Sequence, residues 1–197
     1  MISPNLVTHT SKEQAAQKIA SGQVGVFPVD TVYGIVASAL LPESVSRFYG
    51  LKQRTDKPGT LIAGSLDQLV NLGLNHQSVE QASTYWPNPT SVVLPTPPNL
   101  DYLSLGKQTL AIRIPADEEL RSILIQTGPI ITTSANRPGE PTVVAVDQAV
   151  NIFGDSVDFY VDGGDYTNRQ PSTVIILSDS SIEVLRDGAD PTIDRAT

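Results

Sequence analysis

Gly25-Val26-Phe27-Pro28-Val29-Asp30-Thr31-Val32-Tyr33-Gly34 is a short apolar run that breaks into a polar island. Residues 25–29, bounded by Gly and Pro, read as a strand. Thr31 and Tyr33 then supply hydroxyls, Asp30 a carboxylate, and Gly34 allows close backbone approach. Taken alone, the island equally fits a plain turn in which Asp30 bonds its own backbone. Before it, Ser11 caps a predicted helix over 12–20, whose Ala15, Ala16 and Ile19 share one face. After it, Pro42 and Glu43 open a helical pattern that runs through Tyr49 and ends at Gly50.

The alternation of helix and strand continues. Residues 61–63, 92–94, 110–114, 129–133, 159–161 and 173–177 read as strands. Helices are expected over 66–72, 77–85, 117–125 and 146–153, with Trp86-Pro87-Asn88-Pro89 stopping the second of them. The pattern predicts an α/β fold of the mixed, α+β-like kind. No internal repeat, low-complexity tract or long linker divides the chain, so residues 1–197 are expected to form one domain.

Hydrophobic residues make up 40% of the chain, enough for a sizeable core. The absence of Cys removes disulfides and thiolate chemistry. No basic start leads into an apolar run, and no segment reaches ~18 consecutive apolar residues. A soluble, cytoplasmic protein with no membrane partner is therefore expected.

Charge is the more telling property. The net charge is −8, yet Arg47, Lys52, Arg54 and Lys57 place four of the 13 Lys and Arg residues inside one short stretch. Such a cluster repels itself unless an anion or carboxylate offsets it. The bland alternative is a solvated helix C-terminus, where cations meet the helix dipole favourably. From Glu140 onward, 11 Asp and Glu face three Arg, which disfavours a polyanion partner there.

A third polar island, Thr132-Thr133-Ser134-Ala135-Asn136, follows the apolar Ile130 and Ile131. Its hydroxyls and amide suit phosphate, ribose or carboxylate groups, although a helix N-cap and turn would use the same residues. Arg113 and Arg186 each follow an apolar strand-like run, where an unpaired cation is costly. Each needs an anionic partner, from the protein or a ligand. Neither a P-loop nor a G-x-G-x-x-G fingerprint is present. With only His9 and His76, neither in a polar island, a zinc site or a Ser-His-Asp triad is not expected. The remaining chemistry is phosphate and carboxylate binding by hydroxyls and separated cations.

These islands occur in a familiar order: Pro28 to Gly34, Lys52-Gln53-Arg54 with Lys57, Trp86-Pro87-Asn88-Pro89, Ala111-Ile112-Arg113, Ser134-Ala135-Asn136 and Pro171-Ser172-Thr173-Val174. Together they resemble the YrdC-like family, which includes the threonylcarbamoyl-AMP synthases (TsaC-type), in its short single-domain form. The resemblance implies a twisted sheet around a large concave ligand cavity. It also implies a nucleotidyltransferase that joins L-threonine, bicarbonate and ATP into L-threonylcarbamoyladenylate and pyrophosphate. In the family the product passes to a complex that modifies tRNA to threonylcarbamoyladenosine, and Mg2+ is expected through the ATP phosphates. By the same resemblance Lys52 and Arg54 would be catalytic and, with Lys57, would hold the triphosphate. Ser91, Ser134, Asn136, Thr142 and Arg186 would contact the nucleotide. Thr31, Tyr33, Arg113, Thr132 and Ser172 would hold threonine.

The chain departs from the family's usual pattern at Val29, Val36, the segment after Arg54 and Arg137-Pro138. The alternatives are a divergent paralogue with altered activity, and an RNA- or nucleotide-binding module without synthase activity. Direct tRNA binding is disfavoured by the net charge. A relative of the hydrogenase-maturation type is less consistent, because the chain lacks that class's Cys-rich or acylphosphatase-like motifs.

Overall fold

The computed structural model describes residues 9–53, 55–178 and 181–193. Ser11 accepts a hydrogen bond from the Gln14 amide, and Gln14 returns one to Ser11, so a capping box starts α1 at Lys12–Ala20. β1 (Gly25–Pro28) and β2 (Tyr33–Ser38) form an antiparallel hairpin around the Val29–Val32 turn. Every residue of β2 is buried, so it shows no polar alternation. For that reason sequence patterning recognised the polar island and missed the strand that follows it.

α2 (Pro42–Lys52) takes Pro at its start and passes straight through Gly50. It stops two residues later than expected, where Gln53 adopts the left-handed conformation at φ 48°. The extra turn matters, since it delivers Lys52 on the last helical residue. Next come β3 (Thr60–Ile62), α3 (Leu66–Leu72) and α4 (His76–Ala82). α4 is shorter than expected, and a separate 3-10 turn covers Ser83–Tyr85. His76 opens α4 as an exposed residue. β4 (Thr90–Pro95), α5 (Asp101–Ser104), β5 (Thr109–Arg113), α6 (Glu118–Thr127), β6 (Ile130–Ser134) and α7 (Val146–Phe153) follow. β7 (Phe159–Tyr160), β8 (Thr173–Leu177) and β9 (Ile182–Arg186) complete the described elements.

The strands form one sheet in the order β7-β1-β2-β6-β3-β5-β4-β8-β9, mixing parallel and antiparallel pairs. This mixed α/β sheet agrees with the expected fold class. Side chains alternate across it. Ile35, Leu61, Ile112 and Ile131 join a large core with α2, α4 and α7 on one face. Val36, Ile62 and Ile130 join a smaller core with α1 and α6 on the other. Arg113 and Thr132 are out of phase with Ile112 and Ile131, so they fall on the α1–α6 face. Among the described residues no helix is long and apolar enough to cross a membrane.

Candidate functional site

On that second face, beyond the cover of α1 and α6, lies a cleft of about 610 Å³ with open solvent included. Its walls come from distant parts of the chain: Thr31, Thr60, Arg113, Thr132, Ser134 and Ser172 all border it, and Arg186 closes one side. The register explains the convergence. Thr60 pairs with both Ala111 and Thr132, so β3, β5 and β6 present their polar ends side by side. Gly34 stands opposite Ser134, and a Cβ there would lie 2.4 Å from Thr132 Oγ1. Only glycine allows that approach, and Thr132 Oγ1 donates to the Ile35 carbonyl at 2.9 Å.

A continuous polar chain underlies the cleft. Arg186 Nε and NH2 donate to the Ser172 carbonyl at 3.0 and 2.9 Å, and NH2 also reaches Ser172 Oγ at 3.0 Å. Ser172 Oγ lies 2.9 Å from Ser91 Oγ, which accepts from Arg113 NH1 at 3.1 Å. Arg113 NH2 then donates to Asp30 Oδ1 at 2.7 Å. The cation predicted to need an anion has one inside the protein. Asp30 is therefore not a self-bonded turn residue, and the two side chains are only 3% and 6% exposed.

The basic cluster separates in space. Arg47 turns away to pair with Asp158 and the Ser156 carbonyl. Lys57 is exposed. Lys52 is buried, so the solvated-terminus reading does not describe it. Its ammonium donates to the Ser134 carbonyl at 2.9 Å, to Asn136 Oδ1 at 3.1 Å and to the Asn136 carbonyl. Ser134 Oγ and Asn136 Oδ1 are also joined, at 2.7 Å. Lys52, Asn136 and Arg137 border a second hollow, and Lys52 and Asn136 are bonded to Ser134 of the cleft.

The other expected site residues fall in varied places. Ser91 is fully buried beneath the cleft. Tyr33 is also fully buried; its hydroxyl donates to the Gly164 carbonyl at 2.9 Å and accepts from the Gly163 amide at 2.8 Å. Burial pushes the Tyr33 phenol up to about 12. Thr142 borders a separate surface hollow with Glu140 and Val144. Arg54 lies outside the described residues. Sequence reasoning overlooked the Asp30–Arg113 pairing and also Arg169, whose guanidinium stacks 4.0 Å over Tyr166 and donates to the Asp30 carbonyl at 2.8 Å. An Arg in a loop with two Gly and two Asp gives no periodic signal that could have revealed it.

The geometry thus defines a class: an α/β protein with a polar cleft lined by hydroxyls and two guanidinium groups. The comparisons narrow it. The model of the Sua5/YciO/YrdC family, described as "Telomere recombination", matches residues 17–188. A putative threonylcarbamoyl-AMP synthase of Mycobacterium tuberculosis is 32% identical over 178 residues, covering 88% of this chain and 82% of the relative. The threonylcarbamoyl-AMP synthase of Pyrococcus abyssi is 32% identical over 182 residues, covering 90% of this chain and 54% of that protein. The crystal structure of P. abyssi Sua5 complexed with L-threonine superposes with a TM-score of 0.80 at 28% identity, over 93% of this chain and 57% of that one. The chain therefore spans little more than half the length of the Pyrococcus relatives. It belongs to the Sua5/YciO/YrdC family.

Proposed function

We propose that the chain is a threonylcarbamoyl-AMP synthase, a nucleotidyltransferase acting on L-threonine, bicarbonate and Mg·ATP. The observation that carries this reading is the hydrogen-bonded chain from the exposed Arg186 through the buried Ser172, Ser91 and Arg113 along the cleft, whose Ser134 is bonded to Lys52 and Asn136. It offers a guanidinium for an amino-acid carboxylate on one side and a cation with hydroxyl and amide groups for a nucleotide on the other. The naming of two relatives at 32% identity supports it, as does the threonine-bound neighbour.

In this reading Arg113 pairs the threonine carboxylate, with Thr31, Thr132 and Ser172 around the amino acid. The threonine ammonium and bicarbonate give a carbamate, water and one proton. A carbamate oxygen then attacks the α-phosphate, forming the mixed anhydride as the bond to pyrophosphate breaks. Lys52 holds the Ser134–Asn136 turn and sets a positive charge beside the phosphates, which stabilises charge developing on the leaving group. Among the described residues no cluster of three His, Asp or Glu forms a metal site. A divalent cation would be carried by the nucleotide phosphates. Transfer of the product to a tRNA-modifying complex follows from the same reading.

The test is pyrophosphate release dependent on both threonine and bicarbonate. Lys52→Ala is expected to slow it by about 100-fold or more, the scale of losing one preorganised charge contact. Arg113→Ala should chiefly raise the KM for threonine. Absence of substrate-dependent release in the unaltered protein sinks the assignment.

A further inference from the structure

Asp30 has no part in the reaction outlined above, yet it occupies a costly position. Its carboxylate is buried against Arg113, and burying an ion pair roughly breaks even at best. Only one of its oxygens is satisfied. Asp30 Oδ2 and Arg113 Nε are both buried, and neither has a hydrogen-bond partner among the described residues. Such orphans are disfavoured unless something else meets them. The pair also stands at a junction. Arg113 borders the main cleft, Asp30 borders a neighbouring hollow with Arg169 and Gln170, and Thr31 borders both. Arg169 holds the Asp30 backbone through its carbonyl, so the carboxylate is presented by a fixed loop.

We propose that Asp30 anchors the ammonium group of the amino-acid substrate, making the Arg113–Asp30 pair a clamp for an α-amino-acid zwitterion. The inference rests on the synthase reading and adds a specificity determinant to it. A zwitterion brings a carboxylate for the guanidinium and an ammonium for the carboxylate, so four charges alternate in sign and no net charge enters the site. A lone carboxylate ligand would instead place two anions on one guanidinium, and like charges so close repel strongly in a buried site. The clamp therefore selects amino acids over hydroxy acids of the same shape. It also holds the amine in place before the proton leaves and the carbamate forms.

The test compares two ligands by calorimetry: L-threonine, and (2S,3R)-2,3-dihydroxybutanoate, which carries a hydroxyl in place of the ammonium. The unaltered protein should prefer threonine. In Asp30→Asn the preference should shrink by about 10- to 100-fold, the worth of a hydrogen bond to a charged group. Asp30→Glu keeps the charge and should keep the preference even where both affinities fall. A merely structural role for Asp30 would weaken both ligands equally, and an unchanged ratio in Asp30→Asn overturns the clamp. Failure of the unaltered protein to bind threonine overturns the synthase reading and the clamp together, whereas threonine binding that Asp30→Asn leaves intact overturns the clamp alone.

Discussion

Arg113 and Lys52 are basic side chains at 2% and 3% exposure, and each offsets its burial differently. Arg113 uses a carboxylate and a serine hydroxyl, while Lys52 uses two backbone carbonyls and an amide oxygen. Two tyrosines are among the other buried titrating groups. Desolvation raises the Tyr33 and Tyr160 phenols from 10.0 to about 12. The fold thus keeps both protons beyond the pH at which the unfolded chain releases them. Their contribution is complete below pH 10 and is lost as pH rises towards 12. Urea midpoints should hold level up to about pH 9 as far as these groups are concerned, then decline through pH 12. A decline that Tyr33→Phe and Tyr160→Phe leave equally steep would assign it to other residues. At this scale the sequence marked Arg113 correctly as a buried cation. It could not name Asp30 as the partner, because 83 residues separate them.

Elements set where those residues stand. Ser172 borders the cleft because its backbone is clasped from two sides. Arg186, at the end of β9, grips its carbonyl, and the turn after β9 lies against it. Ala189 donates to the Pro171 carbonyl at 2.8 Å, and a Cβ on Gly188 would meet that oxygen at 2.3 Å and the Ser172 carbonyl carbon at 2.4 Å. Asp190 fastens the turn, accepting from Thr90 Oγ1 on β4 at 2.5 Å and from the Thr192 amide at 2.9 Å. Gly188→Ala should therefore cost about 1–3 kcal/mol, the usual penalty for forcing extra atoms into a packed site. It should also raise the KM for threonine by displacing Ser172. Unchanged urea midpoint and unchanged KM would mean that the turn yields freely. Helix starts were legible in the sequence because Ser11 and Asp117 accept from neighbouring amides and Pro42 pre-sets φ at the first helical position. Stops were harder. α2 runs through Gly50, since a glycine ends a helix only where the chain needs a left-handed residue, and here Gln53 takes that conformation.

For the whole molecule, charge decides which partners are favoured. The net charge is −8, and among the described residues of the basic cluster Arg47 pairs with Asp158 and Lys52 with the Ser134–Asn136 turn. Cations engaged in this way offer few phosphate contacts to release counterions. Unmodified tRNA should bind no tighter than about 10⁻⁴ M at physiological salt, as measured by fluorescence titration. Tight binding with a steep salt slope would favour the RNA-binding alternative. Local chemistry, by contrast, acts between near neighbours, and that part the sequence determined by itself. It specified the caps, the strand-forming runs, the α/β alternation and the residue types of the polar islands. The tertiary structure alone decided the order β7-β1-β2-β6-β3-β5-β4-β8-β9, which brings Thr31, Arg113, Thr132 and Ser172 to one cleft. It alone decided that Lys52 leaves its cluster for the end of β6 and that Arg113 meets Asp30. Pairing between distant segments depends on how a nine-stranded sheet closes over two cores, and no local pattern encodes that.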